Sequence, residues 1–142
     1  MAMLSIIIVD TDKIILNIYK KVLLFLYKLK RMLEMQRDAM LTQLGYAPND
    51  ALIKQLENIE NNTTGYEKIQ KHIMDLHDHL KVDGSFVALS NSEDYFKIKV
   101  ESTSPELALE AHEKIRHFSD KFKITVNKLD NKETYYIVGF HH

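Results

Sequence analysis

Histidines and carboxylates are the side chains in this sequence whose spacing could support chemistry. His72, Asp75, His77, Asp78 and His79 crowd one stretch, and Glu113 and His117 lie in another. On helices, Asp75/His79 and Glu113/His117 are four residues apart, a spacing that can turn two ligands toward one metal ion. His72 and His79 are two turns apart, about 10 Å along a helix axis, and so cannot share an ion. Asp75, Glu113 and His117 also fall outside the apolar stripes of their helices, which predicts solvated side chains. Asp75 and His79 are therefore the weak metal candidates, and no cofactor is expected.

Other catalytic chemistries lack their residues. The chain has no cysteine, which excludes thiol catalysis, disulfides and thiolate metal sites. Its serines lie in capping, turn and strand-edge contexts without a nucleophile elbow. Gly45, Gly65, Gly84 and Gly139 are isolated, so the sequence holds no P-loop or Gly-rich fingerprint. Tyr95, Phe96, Tyr135 and Tyr136 could stack bases on a sheet, but only Lys97 and Lys99 accompany them in an acidic region. With a net charge of −1, no nucleic acid is expected as a partner and no catalytic residue is assigned.

The elements that carry these residues repeat. Leu89, Asn91, Glu93 and Tyr95 recur at an offset of 40 as Leu129, Asn131, Glu133 and Tyr135. In each copy an Asn-containing polar cluster separates two strand-like runs, the chemistry of a hairpin. Tyr95 to Glu101 alternates, with Phe96, Ile98 and Val100 on one face, which predicts a sheet buried on one side. A helix precedes each hairpin. The first is expected to open on a capping box from Thr64 to Glu67, with Ile69, Ile73, Leu76 and Leu80 inward. The second opens on Ser104-Pro105-Glu106, with Ala111, Ile115, Phe118 and Phe122 inward. These stripes match at an offset of 42, implying a helix-to-strand connection two residues shorter in the second copy. The expected fold is α+β: a long N-terminal helical arm, then two αββ repeats. The repeats would form a four-stranded antiparallel sheet with two helices on one face, a circularly permuted ferredoxin-like arrangement. Tyr135-Tyr136-Ile137-Val138 is expected as a central strand buried on both sides, with the arm or a second subunit over the second face.

The near-neutral total hides a split. Residues 1–38 carry seven basic and four acidic groups, whereas residues 39–142 carry twelve and sixteen. The basic residues from Lys13 to Arg37 interleave with large apolar ones, so residues 1–61 read as a short strand and a helical arm for interaction or oligomerisation, followed by a domain at 62–142. Lys13 and Lys20-Lys21 interrupt every apolar run, against a transmembrane span. Asp10 and Asp12 stand where a signal peptide would be basic. The expected location is cytoplasmic, with peripheral membrane contact through the basic helix as the competing use of the segment.

Residues 5–29, with Asp10 and Asp12 after Ile6-Ile7-Ile8-Val9, resemble the opening of a response-regulator receiver domain. That resemblance implies a strand at Leu4–Val9 ending in Mg²⁺-holding acids and a phosphoacceptor Asp at the end of a second buried strand. Asp50 stands at that distance but follows the loop Gly45-Tyr-Ala-Pro48-Asn, so the likeness ends there and the acids read as a turn between strand and helix. The order arm, helix, αββ, αββ resembles in architecture the inner-membrane assembly platform proteins of type IV pilus and type II secretion systems. Those have a clean hydrophobic span that this N-terminus lacks, so only the fold is implied. The function expected is a non-enzymatic interaction or assembly module, a homodimer or a binder of another protein. Ile14, Ile18, Lys20, Lys21, Val22, Phe25, Leu29 and Arg31 are its candidate interaction residues. A small-ligand or signalling sensor and a metal-dependent enzyme using the His72–His79 helix are the alternatives.

Overall fold

The computed structural model describes residues 2–142, with side chains described from Asp10 onward. In chain order the described residues form α1 (Ala2–Gln43), α2 (Asp50–Asn62), α3 (Tyr66–Lys81), β1 (Phe86–Leu89), β2 (Phe96–Lys99), α4 (Pro105–Phe122), β3 (Ile124–Lys128) and β4 (Thr134–Phe140). The fold is α+β, with one antiparallel sheet in the order β1-β2-β4-β3. The chain divides into two units, one through Arg37 and a compact one over Asp38–His142.

The N-terminal strand expected at Leu4–Val9 is not formed. Those residues begin α1, and Asp10 and Asp12 lie within the helix rather than in a turn. A short apolar run has no period that separates strand from helix. Here no glycine or proline interrupts the chain between Ala2 and Gln43, so one helix continues throughout. The receiver-like opening is thereby excluded, because its acids would sit at the end of a strand. The end of α1 belongs to the compact unit, where Met40, Leu41 and Leu44 are buried. Gly45, at φ +95°, then turns the chain, and the Tyr46 amide returns to the Leu41 carbonyl at 2.9 Å.

Asn49 caps α2 by accepting the Leu52 amide at 2.8 Å, and Leu56 and Ile59 point into the core. The capping box expected at Thr64 is absent. Gly65, in the left-handed region, is the N-cap of α3 and no side chain caps it. Thr64 is drawn instead into a parallel bridge with Gly139, its carbonyl accepting the Phe140 amide at 2.7 Å. A Cβ on Gly139 would stand 2.8 Å from the backbone nitrogen and oxygen of Thr64, so the close approach needs glycine. The cap of α4 is the expected one: Ser104 Oγ accepts the Leu107 amide, with Pro105 in the first turn.

The strands alternate as their sequences imply. Val87, Leu89, Phe96, Ile98 and Ile137 join the stripes of α3 and α4 and the apolar residues of α2 in one buried cluster. β4 is a central strand, but its second face is less covered than expected: Ile137 is fully buried while Tyr136 and Val138 are half-buried. An all-apolar run implies burial on both sides. In the structure Tyr136 is amphipathic, its ring tilted against Tyr95 and its hydroxyl within 3.2 Å of Ser92 Oγ. The hydroxyls of Ser90 and then Ser92 hold its pKa below the usual phenol range.

One edge of the sheet is closed by side chains. The Val87 amide of β1 donates to His77 Nδ1 at 3.0 Å, and the Leu89 amide donates to Tyr46 Oη at 3.1 Å. His77 is 2% exposed, and its Nε2 lies 3.1 Å from the Gln43 carbonyl at the end of α1. Accepting at Nδ1 and donating at Nε2 requires the neutral ring with its proton on Nε2. Burial, reinforced by Lys81, lowers the His77 pKa, while the Gln43 carbonyl and Asp78 oppose this shift. As pH falls below the unfolded value of about 6.5, the unfolded chain takes up a proton that the folded chain refuses, and stability is lost. Urea unfolding should therefore show a larger drop between pH ~7.5 and pH ~5 for the natural chain than for His77→Gln, which does not titrate. Parallel pH profiles for the two proteins would contradict this assignment.

Candidate functional site

Three features of the described residues could act on something outside the fold. The first is the surface of α1. Ile14, Ile18, Val22, Phe25 and Leu29 follow one another at three- and four-residue spacing, and a helix turning about 100° per residue gathers them on one face. Ile15, Leu26, Met32 and Leu33 widen the same face. None of it is covered: Ile18 is 56%, Val22 49% and Phe25 65% exposed. Of the basic residues expected to take part in interaction, Lys20 and Arg31 project to the opposite side, where Arg31 donates to Tyr27 Oη at 3.3 Å. Lys21 flanks the apolar face. No helix among the described residues is long and apolar enough to cross a membrane.

The second feature is an open groove of about 750 Å³ between the outer sides of α3 and α4. It gathers His72, Asp75, His79, Glu113 and His117, so the side chains singled out for metal chemistry do lie near one another. None of their described contacts joins two of these side chains, however. His79 Nδ1 lies 2.8 Å from the Asp75 carbonyl, which directs the ring to the backbone rather than to the Asp75 carboxylate. The His72 ring stacks on Phe122 with centroids 3.7 Å apart. Glu113 pairs with Arg116 at 2.6 Å, and this bond raises the pKa of the guanidinium. Among the described residues no group of three or more histidines or carboxylates is arranged to hold a metal ion.

The third feature is a line of polar side chains that spacing alone did not reveal. His112 Nε2 lies 2.5 Å from Glu133 Oε2, and His112 Nδ1 lies 2.6 Å from Tyr135 Oη. A carboxylate, an imidazole and a hydroxyl in series form the order used to activate a nucleophile. Here burial first, and the Glu133 charge second, raise the Tyr135 pKa, so the phenol keeps its proton. The arrangement pins α4 to β4. Its signal in the sequence is weak, because His112 is a single histidine beside the stripe residue Ala111. His77 was more legible: it follows Ile73 by four residues and so falls on the buried stripe.

At the floor of the connection from α3 to β1 lies a buried charge. Asp83 is 1% exposed, and Lys114 Nζ from α4 approaches its Oδ2 to 2.7 Å while donating to the His79 carbonyl at 3.1 Å. The Asp83–Lys114 contact is an ion pair outside hydrogen-bond alignment. Ser102 Oγ donates to the Asp83 carbonyl and meets Ser85 Oγ at 3.2 Å, closing the loop around it. Lys114→Met strands the carboxylate and should destabilise the domain by about 2–3 kcal/mol, below the 3–5 of a fully buried pair because the lysine is partly solvated. The double variant Asp83→Asn/Lys114→Met should recover most of that loss in denaturant unfolding. A Lys114→Met protein as stable as the natural chain would refute the pairing.

These sites have no counterpart to borrow a role from: comparison with protein-family models, with curated proteins and with solved structures finds no significant match.

Proposed function

We propose that this chain is a non-enzymatic interaction and assembly module, in which an N-terminal helical arm brings copies together and the compact unit carries the specific surface. The observation that carries this reading is the exposed apolar face of α1. Complete burial of one Leu, Ile, Val or Phe side chain is worth about 1.5–3 kcal/mol, and large exposed apolar patches mark surfaces that other molecules cover. A second copy offers the same face, and self-complementary surfaces are the rule in homodimers.

The sheet edges support the choice of the arm over strand addition. β1 has its outward amides taken by His77 and Tyr46. β3 is five residues long, is irregular between Thr125 and Val126, and ends at Lys128. Short, bulged and charged edge strands resist pairing with another chain.

The compact unit is read as a circularly permuted ferredoxin-like domain built from two αββ repeats. Strand order β1-β2-β4-β3 is the one obtained by moving the first strand of a βαββαβ unit to its end. The central ladder agrees with a repeat offset of 40: Phe96 pairs with Ile137 and Lys97 with Tyr136, pairs that exchange under that offset. A sensor that takes a small ligand is the second reading, favoured by the groove between α3 and α4, whose wall carries Phe118 and Phe122 among charged side chains.

Light scattering tests the first reading. The full chain should give about twice its 16.6 kDa mass, and Val22→Glu/Phe25→Glu should return it to one copy with unchanged circular dichroism. A natural chain that stays a single copy at micromolar concentration would overturn the proposal.

A further inference from the structure

We infer that the arm pairs with the arm of a second copy in parallel and in register. This rests on the self-association proposed above and adds its geometry. Ile15, Ile18, Val22, Phe25, Leu29 and Met32 of α1 recur at alternating spacings of three and four, the a and d positions of successive heptads. All six are exposed.

The flanking positions decide the direction. Lys21 and Lys28 occupy g, while Tyr19, Leu26 and Leu33 occupy e. In a parallel pair each g residue faces the next e residue of the other helix. Lys21 then lies over the partner's Leu26, and Lys28 over the partner's Leu33. A lysine in that position covers the leucine with its methylenes and keeps its ammonium in water. In an antiparallel pair g faces g. With the apolar faces fully overlapped, Lys21 meets the partner's Lys28, and the contact occurs twice. Sliding by one heptad in either direction brings Lys21 against the partner's Lys21, or Lys28 against the partner's Lys28. No aspartate or glutamate lies between Lys13 and Leu33 to relieve these contacts. Like charges therefore oppose every antiparallel register that keeps the apolar overlap, and none opposes the parallel one.

The absence of cysteine from the chain makes this directly measurable. Ile18→Cys and Leu29→Cys, each in the full chain, are oxidised alone and as an equimolar mixture. In the parallel arrangement each variant alone forms a disulfide-linked dimer, and the mixture gives no excess of the product that joins one variant to the other. In the overlapped antiparallel arrangement only the mixture cross-links. Adding Lys21→Glu to both variants should raise the mixed product, because the antiparallel form then pairs opposite charges. Cross-linking confined to the unmodified mixture, or absent from all samples while light scattering still reads two copies, would overturn the parallel arrangement and leave self-association standing. A chain that is a single copy in solution and binds vesicles of phosphatidylserine with phosphatidylcholine as a single copy would assign the apolar face to lipid, and would overturn both.

Discussion

The compact unit depends on how it closes the edge of its sheet. β1 is an edge strand of four residues, and its outward amides would otherwise be buried without acceptors beneath α3 and the turn after α1. His77 and Tyr46 supply those acceptors. A buried amide left without a partner costs about 1–3 kcal/mol, a large fraction of the stability of a domain this size. His77 does more than cap, because its second nitrogen reaches the Gln43 carbonyl and so joins the end of α1, the middle of α3 and the start of β1 at one ring. Neutrality is the condition for that connection. An imidazolium would present a donor to the Val87 amide, and the joint would open.

Polar clusters elsewhere in the compact unit make similar ties. Lys114 neutralises Asp83, Glu133 and Tyr135 fix His112, the Asp75 backbone carbonyl holds the His79 ring, and Glu113 pairs with Arg116. Each cluster ties one element to another, or a side chain to its own helix. The apolar arm differs because its described side chains find no burial. Its large apolar side chains stay exposed from Ile14 to Met35, and this contrast with the compact unit supports the proposed role.

Much of the fold was legible in the sequence, for reasons specific to its elements. The stripes of α3 and α4, the Ser104 cap and the alternation of Phe96 and Ile98 each carry a local period or a capping side chain, and each appears as read. Leu4–Val9 carried no period, so its helical state followed only from the absence of a breaker up to Gln43. The capping box read at Thr64 does not form because a long-range bridge to Gly139 outcompetes a local cap, a competition that local sequence does not carry. His112 and Glu133 lie on α4 and at the entry to β4, and their meeting depends on the register of the sheet. The histidine-rich stretch is conspicuous in sequence, yet the stacking of His72 on Phe122 and the bonds of His77 to Gln43 and Val87 are set by tertiary packing.

If the arm drives association, the compact unit is complete without it. Sedimentation of the full chain beside a chain of residues 38–142 tests it most directly. The full chain should sediment as two copies and the shortened chain as one folded copy. A shortened chain that remains paired, or a full chain that sediments singly, would contradict it.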